Sequence, residues 1–168
     1  MNQTQTIPYR SSFLTQQASE AWNYFKKTGY PRSHDENWRF SNPDPWLLKS
    51  ATLAVMGEEF TPEEFSAYII PDTIPILILN DTFSIPSELP EGIQVMDMTR
   101  ASNERHACMG SVADYHTSPF SAENTALFQD GIVIYVPENT VVKKPLQLIH
   151  AIKGNEDSRI YPRVYVHV

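Results

Sequence analysis

The chain holds one cysteine, Cys108, in 168 residues. A lone cysteine excludes an internal disulfide and fits a reducing compartment. Positive charge is also scarce: 13 Lys and Arg stand against 20 Asp and Glu, a formal net charge of −7. Phosphate binding needs a cationic face, so nucleic acid is not expected as a main partner. Long apolar runs are missing. Ile76-Leu77-Ile78-Leu79 falls far short of the ~20 residues that span a bilayer, so no membrane association is expected. The first residues, Met1-Asn2-Gln3-Thr4-Gln5, have neither the cationic start nor the apolar centre of a signal peptide, and the expected location is the cytoplasm. Six glycines are scattered, with neither G-x-x-x-x-G-K nor G-x-G-x-x-G among them, so ATP chemistry must come from a partner. No G-x-S-x-G nucleophile elbow occurs either. What remains is a globular balance, 41 % hydrophobic and 20 % charged, sized for one domain or two small ones.

Periodicity gives the elements. Phe13, Leu14, Ala18, Ala21, Trp22 and Phe25 recur at three- and four-residue steps and predict an amphipathic helix from about Ser12 to Lys27. Ser11 or Ser12 can cap it, Lys26 and Lys27 suit its negative end, and Gly29 and Pro31 stop it. Residues 31–45 read as a polar connector holding Trp38 and Phe40. Asp44-Pro45 predicts a second helix with Trp46, Leu47, Leu48, Ala51 and Val55 inward, ending before Gly57. Thr61-Pro62-Glu63-Glu64 repeats the start signal, with Phe65, Tyr68 and Ile69 behind it.

At residue 74 the texture changes. Ile74–Leu79 predicts a buried strand turned by Asn80-Asp81. Ile93, Val95 and Met98 predict a weaker one. Residues 100–111 allow a short helix, and Ser118-Pro119 opens another that ends at Asp130-Gly131. Beyond Gly131 the pattern is all β: Ile132–Val136, a short extended piece at Val141-Val142, Leu146–Ile152, a loop at Gly154–Ser158, and Ile160–Val168 broken by Pro162. The centres Val133, Leu148 and Val164 lie 15 and 16 residues apart, a spacing that suits stacked short strands. The alternating Val164-Tyr165-Val166-His167-Val168 carries no polar tail. Domains rarely stop inside a strand, so a piece of a longer protein is expected, with its last strand an open edge able to pair with another copy.

The candidate chemical groups read as structural. Cys108 could be at most one ligand where clusters take ~4 thiolates, and it packs like alanine. His106, Asp114, His116 and Glu104 lack the four-residue helical spacing of a zinc motif and read as polar residues of a mobile loop. Asp35-Glu36 are adjacent, whereas an acid/base pair must flank a substrate. They are expected to pair with Arg32 or Arg39 while Trp38 anchors the connector. Lys143-Lys144 reads as a solvated turn that guards a strand edge. Trp22, Phe25, Trp46, Phe65, Phe120 and Phe128 read as core. No catalytic, cofactor-binding or metal-binding residue is therefore assigned.

Two motifs carry a resemblance. One is Gly29-Tyr30-Pro31-Arg32 followed by Asp35-Glu36-Asn37-Trp38-Arg39-Phe40. The other is Phe120, Asn124, Ala126, Asp130-Gly131, Ile134, Val136-Pro137 and Pro145-Leu146. Together they resemble the SufB/SufD family of iron–sulfur cluster assembly proteins, on its SufD side. Leu79-Asn80-Asp81-Thr82-Phe83 is similar to a family strand-turn, with Asp81 where the family usually has glycine. The resemblance implies an α+β chain: a helical region over 1–73, a mixed region over 74–130, and the first coils of a right-handed parallel β-helix over 131–168. It implies a scaffold subunit in a complex with a SufB-like subunit and a SufC-like ATPase, reached through segments mostly beyond this chain. The chain itself is then expected to be no enzyme and to hold no cofactor. The competing readings are a fragment of a β-helix polysaccharide lyase or hydrolase, and a small module that dimerises through its last strand.

Overall fold

The computed structural model describes residues 12–44, 47, 52–53, 60–104 and 112–168. Its secondary structure is mixed, with helices and small sheets. Contacts divide the chain into two units, each assembled from separated stretches: 1–51 with 99–129, and 52–98 with 130–168.

The first unit is helical. Helix α1 runs Ser12–Thr28 and buries Leu14, Ala18 and Ala21, a four-then-three spacing that makes one stripe. It ends as its sequence dictates. The Gly29 N–H donates to the Phe25 carbonyl at 2.7 Å, and Gly29 takes φ +66°, where a side chain would be strained. Residues 32–41 then wind through successive i→i+3 turns: Asp35 N–H to Arg32 O, Trp38 to Asp35, Ser41 to Trp38. Helix α2 is Met98–Glu104, which places Met98 in a helix rather than in the strand predicted for it. Helix α3, Pro119–Leu127, packs on α1. It starts where Ser118-Pro119 predicts: the Ser118 hydroxyl accepts the Ser121 N–H at 3.0 Å, and proline sits in the first turn, where no donor is needed. Trp22, predicted as core, is 39 % exposed; it stacks on Phe25 from the rim of the α1 stripe.

The second unit is β. Its strands are β1 (Thr52–Leu53), β2 (Ile74–Leu79), β3 (Thr82–Ser84), β4 (Gln94–Asp97), β5 (Ile132–Tyr135), β6 (Leu146–Ala151), β7 (Ser158–Arg159) and β8 (Val164–His167). They form three small sheets, ordered β3-β2-β6, β4-β5-β8 and β1-β7. The hairpin pair β2-β3 and the long-range pair β4-β5 are antiparallel, whereas β2-β6, β5-β8 and β1-β7 are parallel. The continuous apolar run of β2 is explained by burial on both faces. Ile76 and Ile78 meet Ile93, Ile132 and Ile134 in one core; Leu77 and Leu79 meet Phe65 in another.

The structure differs from the sequence reading at several elements. The helix predicted after Asp44 is interrupted, because Thr52-Leu53 pair with Ser158-Arg159 as a strand, and a tertiary partner overrides the periodic pattern. The flanking Trp46, Leu48, Ala51 and Val55 lie outside the described residues. The Thr61 start signal holds, with a capping box to Glu64, but the turns over Pro62–Tyr68 are 3₁₀. The 15- and 16-residue spacing is not a stacking interval: Ile132 pairs with Val164, 32 residues on, while the intervening β6 lies on β2. The run Ile160–Val168 is a strand only from Val164, Val141-Val142 lie outside any strand, and part of the predicted loop before it is β7.

Candidate functional site

In the first unit, aromatic rings gather around the end of α1. Tyr30 meets Phe25 at 4.9 Å and Phe120 at 5.9 Å between ring centroids, and Trp38 meets Phe120 edge-on at 5.4 Å. The Tyr30 hydroxyl donates to the buried carboxylate of Glu123. The connector is thereby anchored by Trp38, as its sequence predicts. Asp35 accepts the Arg32 backbone N–H at 2.8 Å, and Arg39 pairs with Glu36 at 3.3 Å. Both carboxylates of the adjacent pair thus serve local turns. Phe40 points outward, 91 % exposed, under the Arg39 guanidinium.

Asp114 and His116 do come together. The Asp114 carboxylate accepts the His116 N–H at 2.9 Å and faces its Nδ1 at 2.7 Å. Those two hydrogen bonds, the backbone one foremost, hold the Asp114 carboxyl below the usual carboxylate range. The imidazole packs against both Tyr24 and Tyr115, and the Tyr24 hydroxyl donates to the His116 carbonyl at 3.2 Å. Burial, and then the Glu20 carboxylate, raise the Tyr115 phenol. The cluster clips residues 114–116 to α1. Cys108, His106 and the Glu104 side chain lie outside the described residues. Among the described residues no three His, Cys, Asp or Glu side chains converge as metal ligands.

In the second unit, a groove of about 360 Å³ opens beside Phe65, Leu79, Ile149 and Ala151, with Tyr68, His150 and Lys153 at its rim. Two of its polar lining groups make local bonds. His150 Nε2 meets the Asn80 carbonyl at 3.0 Å, and Glu64 completes the capping box. Lys144 reaches Asp72 at 3.7 Å across an exposed turn, so the predicted solvated cationic spot carries a surface ion pair.

Two clamps were not singled out in the sequence reading. The buried Asn80 amide donates to the Lys153 carbonyl and accepts the Lys153 N–H, at 3.0 and 2.9 Å. The Gln147 amide accepts from the Ile70 N–H and the Thr73 hydroxyl and donates to the Tyr68 carbonyl, all at 2.9 Å. Asn80 announces itself as a turn residue; Gln147 looks like any polar position in an alternating strand. Gly131 is a close approach of another kind. A Cβ there would lie 2.6 Å from the Arg163 carbonyl, and burial pushes the Arg163 guanidinium down to about 10.

The chain is thus α+β, and the polar groups named above serve turns, caps and clamps. Residues 2–148 match the family described as SufBD protein N-terminal region, and the chain belongs to that family. Membership ties it to iron–sulfur cluster assembly and to the partners of that process in general. A search of curated proteins finds no match. Among the described residues no helix is long and apolar enough to cross a membrane.

Proposed function

We propose that the chain supplies the N-terminal region of a scaffold subunit, on the SufD side of the family, in a cytoplasmic complex with a SufB-like subunit and a SufC-like ATPase. The match over residues 2–148 carries this reading. In it, residues 131–168 open a right-handed parallel β-helix, led into by the helical 1–73 and mixed 74–130 regions. Support comes from the return of the chain to a parallel neighbour: β8 lies on β5 after 32 residues, while β6 lies on β2 and β7 on β1. The nascent cluster is cargo of the complex. This chain offers one thiol toward it, against the ~4 that hold a cluster, so the chain neither catalyses nor retains a cluster itself.

Co-expression of the gene product with SufB-like and SufC-like subunits tests the proposal. One complex that contains all three supports it. A product that purifies alone and degrades acidic polysaccharides overturns it. The isolated 168-residue chain is expected to bind the ATPase weakly, because the docking segments are placed elsewhere in the subunit; a tight complex in a titration overturns that part.

A further inference from the structure

Strands β4 and β5 pair antiparallel from Gln94↔Tyr135 to Asp97↔Ile132. A turn of a few residues ordinarily closes such a pair. Here the chain leaves the β unit after Met98, gives residues 99–129 to the helical unit, and returns at Asp130. The points of departure and return nevertheless meet. The Met98 N–H donates to the Gly131 carbonyl at 2.8 Å and to Asp130 Oδ1 at 3.1 Å. The same carboxylate oxygen accepts the Gly131 N–H at 2.7 Å. The neck leaves no spare room: a Cβ on Gly131 would lie 2.6 Å from the Arg163 carbonyl and 3.1 Å from Met98 Cε. Beside it the Arg163 carbonyl accepts the Ile132 N–H at 3.0 Å, and the Met98 and Ile132 side chains are buried.

One carboxylate oxygen and one peptide group thus close the strand pair where a short turn would. We propose that Asp130 and Gly131 form a clasp that insulates β4 and β5 from the excursion between them, so that residues 99–129 open and reclose as a local unit while the strands stay paired.

The physical case is one of loop closure. Without hydrogen bonds at the neck, only the folded helices at the far end of the excursion would restrain the ends of β4 and β5 there. Each opening of those helices would then free the ends and tax the pair with the entropy of a long loop. With the clasp, the pair ends on bonds of its own, and what happens beyond them costs it little. Helix α3 packs on α1, inside the helical unit. Segments whose contacts are separate open separately. The inference stands on the neck alone and does not depend on the role proposed for the family.

Hydrogen exchange of the 168-residue chain, followed amide by amide in low denaturant, tests it. The α3 amides should exchange through a more populated opening than the one that exposes β4 and β5. Ser118→Ala removes the α3 cap and should speed α3 exchange about fivefold, with β4 and β5 unmoved. Asp130→Ala, or Gly131→Ala as a second way to break the neck, should end the insulation: adding Ser118→Ala then speeds both regions alike. A single opening shared by α3, β4 and β5 in the unaltered chain overturns the proposal. So does a Ser118→Ala effect of equal size on all three; neither of these readings needs a neck variant to fold. Neck variants in which β4 and β5 still ignore Ser118→Ala overturn it as well.

Discussion

The carboxyl of Asp114 shows how little machinery a shifted ionisation needs. One backbone N–H and one imidazole nitrogen, both from His116, stabilise the charged form. Because its folded value is depressed, this group adds stability above the ordinary carboxylate pKa. That contribution fades as pH falls through the folded value, since there the unfolded chain binds the proton first. A carboxyl-carbon NMR titration should place the Asp114 midpoint below the ordinary aspartate value. His116→Ala should raise that midpoint only partway, because the residue-116 N–H remains and is the larger cause. A midpoint unmoved by the substitution would remove the ring from the explanation. The chemistry of this pair is positional: an Asx turn fixes the loop, and the ring packed against Tyr24 and Tyr115 ties the loop to α1.

At the scale of elements, the turn between β2 and β3 is also a strand clamp. Leu79 and Thr82 are register partners, so Asn80-Asp81 is a two-residue loop. Asn80 takes φ +54° and Asp81 stays out of the left-handed region, which is why the loop does without glycine at the second position. Asn80→Ala would strand the Lys153 peptide groups and put a β-carbon in the left-handed region. It should cost about 2–3 kcal/mol in denaturant unfolding. Asn80→Gly should recover only the backbone part of that loss. Elements of this kind were legible in the sequence where the signal is local. The α1 stripe, the Ser118-Pro119 start, the β2 run and the Asn80 turn all arise from neighbours within a few residues. What was not legible depends on distant partners. Thr52-Leu53 looks helical until residues 158–159 arrive beside it, Gln147 acquires its role from residues 68–73, and the 15-residue rhythm hides a 32-residue pairing. Of the candidate groups, the bonds of Asp35-Glu36 and of Asp114-His116 come from neighbours within three residues, whereas the contact of His116 with Tyr24 comes from a distant helix.

For the whole molecule, charge is unevenly shared. The helical unit carries eight Lys and Arg against seven Asp and Glu, whereas the β unit carries five against thirteen. The long-range pairing of β2 has a further consequence, for the newborn chain. Ile74 waits for Leu146, and at a ribosomal pace of about 5–20 residues per second that partner is roughly 4–14 s behind. During that interval the greasiest strand of the protein has a hairpin mate on one flank and bare peptide on the other. Synthesis itself, more than the finished fold, is when this polypeptide most needs a chaperone's shelter.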